Sequence, residues 1–346
     1  MKTLSKKDLT NLIIGSTLLS TGGGGSFLSA KKLTGKIKKI PKLAGLDELK
    51  DDSLVVTVFG VGGKENCNPA VTSKIALRSF ENIFRKKIAA IIPVEIGPLA
   101  TIVGVFAASV NNLPVLDADI VGFRSSPEVF LETITMANLS REPSVIANDK
   151  GDILILYKSK NIKTTEDIFR NFAALSGGDA FVAGYPLTVK QIRSVVANGS
   201  IRASIKIGGQ LSLLKRNKIS LSDFCRKNGF KILGEGKIVK EEKIVKKGFS
   251  FGKLQIINKA AKTNFQIFTK NENIVLLKNK RVILTVPDSI CLLNKKTLTG
   301  ILNFENNLGK EVFILGRKAI SIWRTKKGEK LFSPKNLGFA FKQKLL

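Results

Sequence analysis

The chain has 346 residues, 43% of them hydrophobic, with 57 Lys and Arg against 27 Asp and Glu, a formal net charge of +30 and no histidine. That length buries a sizeable core and favours two domains over one. The missing imidazole excludes Ser-His-Asp and Cys-His catalysis and every His-containing zinc site, so any metal would be held by carboxylates, amides, carbonyls, water or thiolate, a donor set suited to magnesium or manganese.

Residues 1–150 carry 19 Lys and Arg against 14 Asp and Glu, and the remainder 38 against 13, so the excess charge is C-terminal. A polyanion or membrane surface is one reading of such a bias, and scattered solvated lysines the plainer one. Short clusters such as Lys36 to Lys39 and Lys240 to Lys247, with only two tyrosines and one tryptophan for base stacking, favour the plainer reading over nucleic-acid binding. Cys67, Cys225 and Cys291 form no Cys-x-x-Cys pair, and a reducing, cytoplasmic setting is expected. No stretch reaches the ~20 apolar residues of a membrane span, so neither a membrane contact nor an export signal is expected.

In chain order, a first helix is predicted from Ser5, with Asp8 completing a capping box and Leu9, Leu12, Ile13 and Leu19 on one face. Thr21-Gly22-Gly23-Gly24-Gly25-Ser26 then breaks it, and a second helix follows from Phe27. Backbone N–H groups at such a helix start can hold an anion or a carbonyl oxygen, although the pattern is neither a dinucleotide fingerprint nor a P-loop; a flexible turn is the alternative. Leu54 to Phe59 is a strand, and Asn68-Pro69 starts a helix.

Ile88 to Glu128 is the most informative stretch. A buried strand runs into Pro93-Val94-Glu95-Ile96-Gly97-Pro98, an apolar helix spans Leu99 to Val110, and a second strand runs into Asp117 and Asp119, followed by Arg124 and Glu128. In open parallel sheets ligands bind beyond the carboxyl ends of strands, which sends Glu95, Asp117 and Asp119 towards one cleft. A helix from about Ser126 to Asn138 and a hairpin, Val145 to Ala147 with Ile153 to Leu156, come next. Helical segments are expected near Thr165 to Leu175, Thr188 to Ala197 and Ser200 to Leu214, with a strand from Ala180 to Gly184. From Gly234 the pattern changes to short β runs, ending with one at Ile320 to Trp323. The fold class is therefore α/β: a mostly parallel N-terminal α/β domain over residues 1–160, then a helical lead-in and a β-rich, sandwich- or barrel-like domain over residues 161–346.

Several phrases occur together and in order: Thr21 to Ser26, Pro93-Val94-Glu95-Ile96-Gly97, Val115-Leu116-Asp117-Ala118-Asp119, Gly122 to Glu128, Ser176-Gly177-Gly178, Asn271-Glu272-Asn273, Thr285-Val286-Pro287-Asp288 and Leu315-Gly316. In these the chain resembles the S-methyl thiohydantoin desulfurase family, formerly a domain of unknown function often found beside hydantoinase and oxoprolinase subunits. The resemblance implies an α/β domain, a β-rich domain, and chemistry at the carbon of a small cyclic thioamide or imide. The loop Gly62-Gly63-Lys64-Glu65-Asn66-Cys67 and the residues Pro98-Leu99-Ala100 depart from the family pattern.

On this reading Glu95 or Asp119 is the general base, directly or through a divalent metal (Mg or Mn) held by Glu95, Asp117, Asp119 and Glu128. Arg124 and the N–H groups of Gly23, Gly24, Gly25 and Ser26 bind the ring or its developing charge. The structural alternatives are that Glu95 or Asp117 caps a helix, that Arg124 and Glu128 pair, and that Asn271 to Asn273 is a β-turn. Cys67 is a further candidate nucleophile if a neighbouring lysine lowers its pKa. Two other functional classes stay open: a binding protein whose basic C-terminal half contacts a polyanion, and a subunit of a homo-oligomer or of a hydantoinase-like assembly.

Overall fold

In the computed structural model of the protein, residues 1–62, 67–246 and 249–346 are described. Most of loop 62–67 and Lys247 of the basic cluster lie outside them. No helix among the described residues is long and apolar enough to cross a membrane.

The first layer is an eight-stranded sheet. Its strands are β1 (Lys2–Thr3), β2 (Lys42–Ala44), β3 (Leu54–Gly62), β4 (Ile88–Ile91), β5 (Val115–Leu116), β7 (Ser144–Ala147), β8 (Ile153–Leu156) and β9 (Asp179–Thr188), in the order β1-β2-β5-β4-β3-β9-β7-β8. The block β2-β5-β4-β3 is parallel, as the buried apolar runs require, and the flanking pairs are antiparallel. Strand β9 lies between β3 and β7, so this sheet draws on chain beyond residue 160. A small ladder joins β6 (Ala118–Asp119) to β10 (Ala197–Asn198).

Helices α1 (Lys6–Leu19), α2 (Phe27–Gly35), α3 (Pro69–Phe84) and α4 (Pro98–Val110) supply much of the principal core with the sheet. The capping box at the start of α1 is present, with Asp8 N–H donating to Ser5 Oγ at 3.0 Å and Ser5 N–H to Asp8 Oδ2 at 2.9 Å. Only Thr133–Met136 of the expected helix near Ser126 to Asn138 is helical (α5). Leu131 and Ile134 are buried, and Thr133 N–H donates to Ile120 O at 2.6 Å, which holds the segment against the site loop.

Helix α6 (Ile162–Leu175) follows; the helix expected near Thr188 to Ala197 is only the single turn α7 (Val189–Ile192), since β9 runs past Gly184 to Thr188. Helices α8 (Ser200–Lys215) and α9 (Leu221–Asn228) lead into the second sheet.

That sheet is entirely antiparallel: β11 (Phe230–Lys246), β12 (Phe249–Asn258), β13 (Thr263–Lys270), β14 (Glu272–Lys278), β15 (Arg281–Thr285), β16 (Ser289–Asn294) and β17 (Glu311–Arg317), ordered β15-β14-β13-β12-β11-β17-β16. It curls until β14 and β15 approach β16, giving a half-barrel around Ile238, Ile256, Ile267 and Ile314. The expected strand at Ile320 to Trp323 is a 3-10 turn, Ser321–Arg324, because Trp323 turns inward and its Nε1–H donates to Val121 O at 2.6 Å. A short helix, α10 (Lys326–Leu331), follows.

The two sheets do not form separate cores. The principal cluster contains α1, α4 and the first sheet together with Cys291, Leu293 and Leu315 of the second. Helix α1 crosses α8 at backbone contact: a Cβ added to Gly15 would lie 1.9 Å from Ser204 O, and one on Gly208 1.9 Å from Asn11 O. Gly15→Ala should therefore force the helices apart and destabilise the fold by about 1–3 kcal/mol. Gly35→Ala, with nothing within 4 Å of the added atom, should change stability by no more than about 1 kcal/mol. Urea midpoints of the two variants check this pair, and equal shifts would contradict it.

Candidate active site

The parallel strand β4 ends at Ile91 and leads into Ile92 and Pro93, and the following loop is fastened from both sides. Ile120 N–H donates to Val94 O at 3.1 Å and Ile96 N–H to Arg124 O at 3.1 Å, which lays the Asp119 to Glu128 segment alongside Glu95. Asp119 folds that segment: its Oδ1 accepts from Val121 N–H (2.8 Å) and Gly122 N–H (2.5 Å), and its Oδ2 from Phe123 N–H (3.0 Å). Burial still pushes the carboxyl up to about 6, against those donors. The result is that Ser125 and Ser126 face two different acids.

Ser126 N–H donates to Glu95 Oε2 at 2.9 Å. Ser125 Oγ lies 2.8 Å from Oε1 of Glu272, a residue 2% exposed at the start of β14, and 2.5 Å from Ser20 O. The other oxygen, Glu272 Oε2, is buried with no hydrogen-bond partner among the described residues. The glycine loop forms the floor: a Cβ on Gly23 would lie 1.8 Å from Glu272 Oε1, so only glycine admits this carboxyl. Gly24 meets Gly97 backbone to backbone, a Cβ on either reaching 2.4 Å from the other's Cα, and its carbonyl accepts from Leu99 N–H (3.0 Å) and Ala100 N–H (3.1 Å) at the start of α4.

Burial, then the charge of Glu272, pushes Glu95 up to about 8, and burial pushes Glu272 up to about 7 against Ser125 and Arg124. At neutral pH the pair thus holds at least one proton. Ser125 Oγ lies within hydrogen-bond distance of both Ser20 O and Glu272 Oε1, and its hydroxyl links the Ser20 carbonyl to the pair. Glu95 accepts a backbone N–H, which favours its charged form, and Ser125 and Arg124 favour the charged form of Glu272. The proton belongs to the pair.

Family descriptions match the chain end to end: the S-Me-THD-like N-terminal domain over residues 7–158 and the S-Me-THD-like C-terminal domain over residues 159–346. The chain belongs to the S-Me-THD-like family. No curated protein matches it. The crystal structure of a protein from Chromobacterium violaceum, determined in a structural-genomics programme, shares the fold with a TM-score of 0.82 at 19% identity, covering 99% of both chains.

Of the residues expected to act in this S-Me-THD-like site, Glu95 is placed in the acid pair and keeps part of its surface exposed, beside the partly exposed Gly24, Gly25, Ser26 and Ser126. The N–H groups of Gly24 and Gly25 donate to no protein group among the described residues, whereas Gly23 N–H is taken by Ser20 O (3.2 Å) and the Ser26 hydroxyl caps α2. Arg124 was expected to bind substrate but is fully buried. Its guanidinium donates to Pro287 O (2.7 Å), Ser125 O (3.0 Å) and Thr21 Oγ1 (3.3 Å) and stacks on Phe332 at 4.7 Å. It is a buried counter-charge beneath the acids, close enough that Glu272 and Glu95 strengthen its hold on its proton while burial lowers it to about 10.

The expected carboxylate metal cluster does not assemble. Asp117 accepts from Arg202 N–H at 2.9 Å and pairs with its Nε, which fixes the start of α8. Asp119 is occupied by the turn, and Glu128 pairs with Lys270. Among the described residues no group of three or more Cys, Asp or Glu side chains could hold a metal ion. Cys67 is half-buried, and burial together with the charge of Asp179 pushes its thiol up, the wrong direction for a thiolate nucleophile.

Glu272 and Ser125 were missing from the expected site. The signal for Glu272 was an acid between two asparagines inside an otherwise β-patterned stretch. Both flanking residues prove to be fasteners: Asn273 N–H donates to Thr21 O at 2.8 Å, and Asn303 bridges to Asn271 O (2.8 Å) and Asn273 Oδ1 (3.0 Å).

Protons held in the folded state give a sign for pH dependence. The ordinary glutamate value is 4.5, so from about 4.5 to about 8 the native pair binds more protons than the unfolded chain, and its contribution to stability falls as pH rises. Denaturant unfolding at pH 5 and pH 8 should show a loss in the wild type that is smaller in Glu272→Gln. Parallel losses in the two proteins would count against the buried pair.

Proposed function

We propose that the protein is a hydrolase acting on a small cyclic thioamide or imide, a thiohydantoin-type ring, with Glu95 as general base and Glu272 as general acid. The observation that carries this reading is a pair of glutamates whose carboxyls are both pushed up by burial, so that the pair holds at least one proton at neutral pH, one with exposed surface and one enclosed. Two titratable groups whose surroundings separate their roles are the usual mark of acid–base chemistry. The family description supports the ring class.

For an S-methyl thiohydantoin, the reaction begins with water attacking the ring carbon that bears sulfur while Glu95 takes one of its protons. Negative charge then develops on the ring nitrogen, where the N–H groups of Gly24 and Gly25 supply donors. Collapse breaks the carbon–sulfur bond, and the Glu272 proton passes to the departing sulfur. The hydroxyl proton left on the ring carbon moves to the ring nitrogen, so the products are a hydantoin carbonyl and methanethiol. Glu95 gives up its new proton and Glu272 regains one, so the pair's proton count is restored. Among the described residues no three Cys, Asp or Glu side chains gather to hold a metal ion, and no step here is routed through one.

The test is methanethiol or sulfide release from S-methyl thiohydantoins and thiohydantoins by the purified chain. Release should fall by roughly 10²–10⁴-fold in both Glu95→Gln and Glu272→Gln. Asp119→Asn, which loosens the turn without touching the ring, should lose activity together with stability. Absence of release from the wild type, or full activity in both glutamine variants, would overturn the proposal.

A further inference from the structure

One edge of the first sheet is open. Strand β8 is the last in the order and pairs only with β7, Ile153 opposite Ala147 and Ile155 opposite Val145, so its other side has no partner strand among the described residues. The sequence there, Ile153-Leu154-Ile155-Leu156 followed by Tyr157, is apolar on both faces and holds no charge. Successive side chains of a strand point to opposite faces. Leu154 and Leu156 pack with Phe169 and Ala173 of α6, whereas Ile153, Ile155 and Tyr157 are 46%, 40% and 66% exposed. An exposed apolar row on an open edge is a template for a further strand, which natural sheets usually block with charge, proline or a covering segment.

The chain keeps beside the approach to β7 beyond Leu156, because Ser159 N–H donates to Glu142 Oε2 at 3.2 Å. The pairing edge therefore extends past the four residues of β8 itself. At its two ends stand opposite charges, both exposed: Asp152, whose carboxylate accepts only from Asn148 Nδ2 (2.7 Å), and Lys158, which makes no ion pair among the described residues.

This edge is complementary to itself. Two copies paired antiparallel about a two-fold axis normal to the sheet present the same face to the same side. With the axis at Ile155, that residue faces its own copy, Ile153 faces Tyr157 of the second copy, Leu154 faces Leu156, and Asp152 faces Lys158 at both ends. Other registers are worse. A slip of one residue sets the exposed row against residues of the face that α6 covers. A slip of two sets Asp152 against Leu156 or Lys158 against Leu154. Lys150 and Lys160 lie beyond the ladder, in the turn before β8 and ahead of α6.

We propose that β8 is a homodimer interface, at which a second copy of the chain adds its β8 antiparallel about Ile155 and makes the two eight-stranded sheets continuous. The interface does not depend on the chemistry of the acid pair. One short edge covers less than the ~1,200 Å² of a stable interface, so the dimer exchanges with monomer.

Sedimentation velocity of the full chain from about 1 to about 300 µM tests this, the range in which an interface of that size associates. The sedimentation coefficient should rise from that of a monomer to that of a dimer and no further. Ile155→Lys, which sets two like charges against each other at the axis, should weaken association by roughly tenfold or more with circular dichroism and unfolding midpoint unchanged. Lys158→Asp should weaken it several-fold, and adding Asp152→Lys to that variant should restore it, because the swapped charges still face each other. A chain that stays monomeric throughout the range would overturn the proposal and leave the edge to a strand of another protein. Association unchanged in Ile155→Lys, or no restoration in the charge-swapped double variant, would overturn it equally.

Discussion

The structure depends on one buried contact, the Glu272 carboxyl resting on the backbone of Gly23 with the Arg124 guanidinium beneath. An unpaired buried charge would cost several kcal/mol, so the arrangement is stable only if its charges balance. One neutral glutamic acid, one glutamate and one arginine sum to zero. That balance explains why Arg124 is fully buried among carbonyl groups rather than presented to a ligand.

The same contact joins the two halves of the chain. Thr21 is buried with φ of 56°, a conformation that costs of order 1–3 kcal/mol in a non-glycine residue and persists only where its surroundings over-determine it. Here they do: Asn273 N–H holds its carbonyl, and Arg124 donates to its hydroxyl. Gly22 O accepts from Asn303 N–H and Gly24 O from the start of α4, so three carbonyls of one short loop are held by the C-terminal half of the chain and by the parallel domain. The loop is thus a rivet, and the acids on either side of it come from different sheets.

Much of this was legible in the sequence where the signal is local. The capping box at Ser5, the apolar strands at Leu54 and Ile88, the proline start of α3 and the hairpin at Val145 each depend on neighbours within a few positions, and each is present. Glu95 was legible because an acid ending a buried strand has few places to go. What was not legible depends on distant pairing. Strand β9 enters the first sheet antiparallel from far down the chain, Trp323 is drawn out of a β pattern by the Val121 carbonyl, and the segment after Ser126 fails to become helical because Leu131 and Ile134 are claimed by packing. Asp117 and Asp119 looked like Glu95 as strand-end acids, and Glu128 like a further ligand beside them. Only their partners, a helix start, a turn and Lys270, separate them from Glu95. Glu272 is the far half of a pair whose members approach only once both sheets are built.

The central claim is the proposed division of the pair, with Glu272 the neutral acid at neutral pH and Glu95 the ionised base. The most direct measurement is infrared difference spectroscopy of the carboxylic-acid carbonyl stretch at pH 7, comparing wild type with Glu272→Gln and Glu95→Gln. The account predicts a protonated-carboxyl band that is present in the wild type, retained in Glu95→Gln and lost in Glu272→Gln. A band that survives Glu272→Gln and disappears in Glu95→Gln, or the lack of any such band in the wild type, would contradict it.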